Sequence, residues 1–123
     1  MREVIQGWLA DRPRLPGVLA CGVRFPDKST ITESYDKDFP ASTLENVWRC
    51  VGDAFQVMSA HRMAPTTMRW VHENAVLYCT RRPDGIVLSL FTSPNPADVD
   101  LGNLERLLRG FRTLEAPDGL GAG

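Results

Sequence analysis

Between Leu44 and His61 the chain carries a helical repeat whose apolar side is too wide for a single packing partner. At about 100° per residue, Leu44, Val47, Trp48, Val51, Phe55 and Met58 fall on one stripe, and Cys50, Ala54 and Val57 extend it sideways. The arc spans about 200°, whereas a helix lying on one sheet needs only about 100°. Glu45, Arg49, Asp53, Gln56 and His61 fill the remaining side. Each large apolar side chain left wet forfeits about 1.5–3 kcal/mol, so the surplus face predicts a second cover. That cover is either another subunit, or a loop or terminal helix of the same chain. With 123 residues the chain has few elements to spare, which favours the subunit.

The segments around this helix read as strands and shorter helices. Val4, Ile5, Trp8 and Leu9 space a helix over Arg2–Asp11, stopped by the run from Arg12 to Gly17. Val18 to Phe25 and Ser29 to Tyr35 form two strands around Pro26-Asp27-Lys28. Pro40 precedes the long helix, with Ser42 or Thr43 placed to cap it. From Thr66 to Glu73, Met68 and Trp70 alternate with Thr67 and Arg69, predicting a strand with one buried face. Val76 to Arg82 and Ile86 to Thr92 are strands joined at Pro83-Asp84-Gly85, the last apolar enough to be central. Asp98 or Asp100 caps a final helix bearing Leu104, Leu107, Leu108, Phe111 and Leu114. The fold class is therefore α+β: a single antiparallel five-stranded sheet layered with helices, in the order α-β-β-α-β-β-β-α. Residues 1–114 are expected to form one domain, with 115–123 a mobile tail.

Charge and cysteine usage narrow the function classes. Fourteen basic against fifteen acidic side chains, with neither sign concentrated, disfavour nucleic acid and anionic membrane as partners. Arg81-Arg82 is the densest basic spot and is expected to be a solvated strand end. No apolar run approaches the roughly 20 residues of a bilayer span, and the first residues lack the pattern of a signal peptide. Cys21, Cys50 and Cys79, odd in number and far apart, fit a reducing cytoplasm.

Catalytic groups are sparse. His61 and His72 stand on different elements without a companion at zinc-ligand spacing, so no metal is expected. Gly119, Gly121 and Gly123 lie in the tail rather than in a phosphate loop, and no cofactor is implied. Asp36 with Asp38, and Asp98 with Asp100, read as turn and cap residues. Cys79 is expected to be a small buried hydrophobe; a nucleophilic role would need His72 on the same sheet face. Trp8, Trp48 and Trp70 read as core or interface anchors. The residues thus give metal, nucleotide and catalytic readings little support, and they leave open a monomeric sensor holding a small apolar ligand near Trp48, Trp70 and Cys79.

The element order resembles the Roadblock family of dynein light chain and bacterial GTPase-regulator domains. The resemblance rests on Leu15-Pro16-Gly17-Val18-Leu19-Ala20 entering the first strand, the Pro26-Asp27 turn and the long helix after Pro40. The Asp84-Gly85 hairpin and Asp98-Val99-Asp100-Leu101-Gly102-Asn103-Leu104 opening the last helix complete it. Profilin-like and longin-like domains share much of this three-layer arrangement. The resemblance implies a homodimer in which long helices pack antiparallel and third strands meet edge to edge. On that analogy the interface comprises Val47, Val51, Ala54, Phe55 and Met58 with Thr66, Thr67, Met68, Arg69, Trp70 and Val71. It also implies a non-enzymatic scaffold that binds or regulates a Ras-like small GTPase.

Overall fold

A computed structural model describes residues 1–11 and 14–115. Helix α1 spans Arg2–Asp11, strand β1 Val18–Arg24, β2 Thr30–Ser34, α2 Ala41–Ala60, β3 Thr67–Val71, β4 Val76–Arg81, β5 Val87–Thr92 and α3 Leu101–Thr113. A 3-10 turn over Pro96–Asp98, unforeseen in the sequence, precedes α3. The strands form one antiparallel sheet in the order β2-β1-β5-β4-β3. The α+β class and the element order agree with the sequence reading, and β5 is central. Arg12 and Pro13, expected to stop α1, and all of the tail except Glu115 lie outside the described residues.

Helices cover both faces of the sheet, and they do so unequally. On one face α1 and α3 share the work: Ile5, Leu104, Leu108 and Phe111 close over Cys21, Val23, Leu88 and Leu90, all buried. On the other, α2 works alone, setting Leu44, Trp48, Val51 and Phe55 on Ala20, Leu77, Cys79 and Val87. One helix is about 10 Å across while strands lie about 4.8 Å apart, so a single helix cannot roof five strands.

The α2 seat depends on two glycines. A Cβ on Gly22 would lie 1.9 Å from the Trp48 indole nitrogen, so only glycine lets the ring lie flat on β1. That ring donates its N–H to Thr32 Oγ1 at 3.1 Å, tying α2 to β2. On α2 itself, a Cβ on Gly52 would meet the Arg24 side chain at 2.6 Å. Arg24 is 2% exposed beneath the helix, with its Nη2 3.3 Å from Asp53 and its Nε unpartnered.

Three local expectations are corrected. Neither Ser42 nor Thr43 caps α2: the cap is Pro40, extended at φ -66 and ψ 142, whose carbonyl accepts from the Thr43 and Leu44 amides. Ser42 and Thr43 therefore belong to the first turn. Arg82 is not solvated. It is buried, chelates Asp84 through Nε at 3.1 Å and donates to the Phe111 carbonyl, where the C-terminal end of α3 favours a cation. Thirdly, β3 has no buried face in this chain; every one of its residues is exposed except half-buried Met68. At the head of α3, Asp100 rather than Asp98 is the cap, accepting from the Asn103 amide at 3.1 Å. Asp98 instead accepts from the Ser93 hydroxyl at 2.7 Å.

Candidate interaction surface

The unroofed part of the α2 side is a groove of about 630 Å³ between the helix and the far strands. Val47, Cys50, Val51 and Ala54 form its helical wall, and Trp70 and Leu77 its sheet wall. The geometry follows from register. Trp70 stands opposite Leu77 and Met68 opposite Cys79 across β3 and β4, so both pairs point to the α2 side. Met68 is packed against the core under α2, but Trp70 lies farther out and is 42% exposed.

The helix arc resolves into three zones. Leu44, Trp48, Val51 and Phe55 are buried; Val47, Ala54 and Met58 are half-buried; Cys50 and Val57 are exposed. The terminal helices, a possible cover for the second half of the arc, pack on the opposite face of the sheet. Within the described residues nothing roofs that half.

Of the residues expected at an interface, the groove brings together Val47, Val51, Ala54 and Trp70. Phe55, 1% exposed, points into the protomer's own core, and Met58 sits one turn beyond the groove. Thr66, Thr67, Arg69 and Val71 are exposed along β3, Val71 at 72%. Leu77 and the polar mouth residues Ser42, Thr43 and Asn46 were not foreseen there. Leu77 was legible only through the β3–β4 pairing, which a hydropathy pattern does not contain.

The backbone adds a second open feature. Among the described residues β3 is the last strand of the sheet, and one side of it carries amides and carbonyls with no described strand to pair with. The opposite edge strand, β2, differs in character. Its sequence Thr-Ile-Thr-Glu-Ser holds one apolar residue, whereas β3 reads Thr-Met-Arg-Trp-Val.

Among the described residues the titratable groups do not assemble elsewhere. Cys79 is fully buried, and burial pushes its thiol up to about 12, against an ordinary value of 9.0. His72, just past the end of β3, stands four residues from Met68, the residue opposite Cys79, which is about 13 Å at strand rise. The Cys79 and His72 pairing needed for a nucleophile is therefore not formed. Burial also raises Cys21, and Tyr35 is pushed up to about 12, first by desolvation and then by Cys21. Asp36 accepts from the Asp38 amide at 2.9 Å, a turn role. Among the described residues, no three His, Cys, Asp or Glu side chains are placed to hold a metal ion, and no helix is long and apolar enough to cross a membrane.

The sequence matches no family model and no curated protein. Its structure is similar to the crystal structure of a Roadblock/LC7 domain from Streptomyces avermitilis, with a TM-score of 0.56 and 11% sequence identity. The likeness covers 89% of this chain and 85% of that one. The chain has the Roadblock/LC7 fold.

Proposed function

We propose that this Roadblock-fold chain, over residues 1–114, is a non-enzymatic homodimeric interaction module of the cytoplasm that binds or regulates a Ras-like small GTPase. The observation that carries the reading is the apolar groove beside an unpaired edge strand. A second copy would supply what each lacks at once, a strand for the edge and a helix face for the groove. Trp70, 42% exposed on the groove side, is the kind of side chain that anchors such contacts, and Val71, 72% exposed, adds apolar surface on the edge strand. Support for the GTPase half is the likeness to Roadblock domains, a family whose dimers commonly bind Ras-like GTPases. Fold alone does not choose the partner, so that half needs its own test.

Two measurements separate the halves. Ala54→Arg puts a charge into the half-buried groove wall; it is expected to halve the molar mass found by light scattering while leaving the circular dichroism spectrum unchanged. Val51→Arg is the less informative variant, because Val51 is 5% exposed and also serves the protomer's core. The regulatory half predicts that one of the Ras-like GTPases of the same genome binds the protein or changes its hydrolysis rate. A full panel with neither response would remove it.

The groove volume also favours a second reading, since about 630 Å³ falls within the range of small-molecule sites. In that reading a monomer holds an apolar ligand against Trp70, with Trp48 and Cys79 buried beneath rather than lining the space. Native mass spectrometry of protein from cell extract would then retain a ligand, and a metabolite would quench Trp70 fluorescence.

A further inference from the structure

Arg81-Arg82, the densest basic spot of the sequence, lies outside the groove, where β4 turns toward β5. A separate cleft of about 300 Å³ opens there. Ala64 and Pro65 wall it from the α2–β3 connection, Arg81, Arg82 and Pro83 from the end of β4, and Arg112 from the last turn of α3. Three lining residues are thus arginines, which keep their charge at every working pH, and none is acidic.

The three are held differently. Asp84 and the Phe111 carbonyl fix Arg82, and Asp84 offsets its charge. Half-buried Arg112 is anchored through Nη1 alone, which donates to the hydroxyls of Thr80 at 3.0 Å and Thr67 at 3.2 Å. Those acceptors are neutral. Its Nε and Nη2 donate to no described residue, and neither Arg112 nor half-buried Arg81 has a described carboxylate within ion-pair distance. Alternation sends Arg81 to the side of its partner Val87, under α2, and Arg82 to the side of α3, so the two straddle the strand end. The C-terminal end of α3 favours a cation at Arg112, yet it gives no reason for a second unpaired arginine on β4.

Two uncompensated cations at one partly dry cleft repel each other, and an anion seated between them reverses the sign of that interaction. The fork of Arg112 is already aimed by its threonines, so binding costs it little rotamer freedom. Charge selects the ligand class: a dianion matches two unpaired cations, whereas a single carboxylate leaves one unmet. The volume leaves room for a small ester group beside Ala64, Pro65 and Pro83.

We infer that this cleft binds a phosphoryl dianion, as free phosphate or the end of a small phosphate monoester, through Arg81 and Arg112, with Arg82 adding positive potential. The site is independent of the dimer and of any GTPase. Its test is a phosphate titration of ¹⁵N-labelled protein followed by NMR at about pH 8, with chloride adjusted to hold ionic strength and screening constant. Saturable shifts are expected at the Arg112 Nε–H and at the backbone amides of Thr66 and Arg82. Arg112→Gln is expected to weaken binding about tenfold and Arg81→Gln about threefold. Arg109→Gln, on the same helix but exposed and paired with Glu105, leaves it unchanged. The Arg81 side chain bonds to no described residue, so Arg81→Gln still reads binding if Arg112→Gln disturbs the fold. Phosphoserine distinguishes the sources: tighter binding than phosphate assigns a monoester, and equal or weaker binding assigns the free anion. Shifts that never saturate overturn the site, as does acetate binding as tightly as phosphate. Affinity that both Arg81→Gln and Arg112→Gln leave unchanged, or that Arg109→Gln lowers as much as they do, overturns it too.

Discussion

Trp48 and Trp70 both belong to the α2 side of the sheet, yet one is 1% exposed and the other 42%. Chemistry does not separate them; position under the helix does. Trp48 is carried by α2 onto the bare backbone of Gly22 and finds a hydroxyl for its N–H at Thr32. Trp70 is carried by β3, beyond the reach of the same helix, and lies against a groove instead of a roof. One end of this face is finished within the chain and the other is left open. The pair shows that an apolar stripe records what will be buried, not by which molecule.

The sharpest way to break this comparison is to truncate each tryptophan in turn. Trp48→Ala empties a sealed site and is expected to cost about 3–5 kcal/mol in chemical denaturation. Trp70→Ala is expected to cost the isolated protomer less than about 1 kcal/mol, its effect appearing instead as a rise in the dissociation constant of the dimer. Similar losses of stability at matched dilution, below the association range, would mean that Trp70 is core and the open end is closed from within.

The same contrast marks what was readable beforehand. The helix period announced a stripe wider than one sheet can use, and the strand alternation of Met68 and Trp70 announced a face to be covered. Both signals were sound as chemistry. What they lack is assignment: the alternation in β3 looks the same whether the cover is α2 or a second chain, so its face read as buried. Leu77 entered the groove through its register with Trp70, and register is a property of paired strands rather than of either one. Arg24 and Arg82 are harder cases, since a buried guanidinium is tolerated only where carbonyls, carboxylates and a missing Cβ converge from distant segments. Gly22 and Gly52 were silent for the same reason. In sequence a glycine under an indole is indistinguishable from one in a turn.

Alkaline titration probes the sealed floor beneath both halves. Cys79 is held above its ordinary value of 9.0, at about 12, by burial between α2 and the sheet. The folded chain thus keeps the thiol proton after the unfolded chain has released it. Stability from this source is intact below pH 9 and falls as pH rises toward 12, by about 1.4 kcal/mol at pH 10. Cys21, also raised from 9.0 by burial, adds to the fall over the same range, and Tyr35, raised from 10.0 to about 12, adds to it only above its own ordinary value. Cys79→Ala is expected to reduce the slope of the curve between pH 9 and 10 in denaturation experiments, leaving the part due to Cys21. A slope unchanged by that substitution would show that the floor is wetter than its burial indicates.

The smallest expected effect lies at the closed end, where Arg24 is the least natural occupant. Its guanidinium is 2% exposed, yet it makes a single ion pair, at 3.3 Å, with an Asp53 side chain that is 57% exposed. The Nε hydrogen has no acceptor. Burying a cation on such terms returns little, because water screens Asp53 while desolvation of Arg24 is nearly complete. Arg24→Met keeps the chain length under Gly52 and removes the charge, so stability is expected to stay within about 1 kcal/mol of the parent, or to rise. Gly52→Ala in the same background tests the steric half of the argument. With the parent arginine a Cβ would meet the side chain at 2.6 Å, whereas a thioether is free to bend aside. Gly52→Ala should therefore be better tolerated beside methionine than beside arginine, and equal costs in the two backgrounds would mean that the helix itself, not Arg24, requires the glycine.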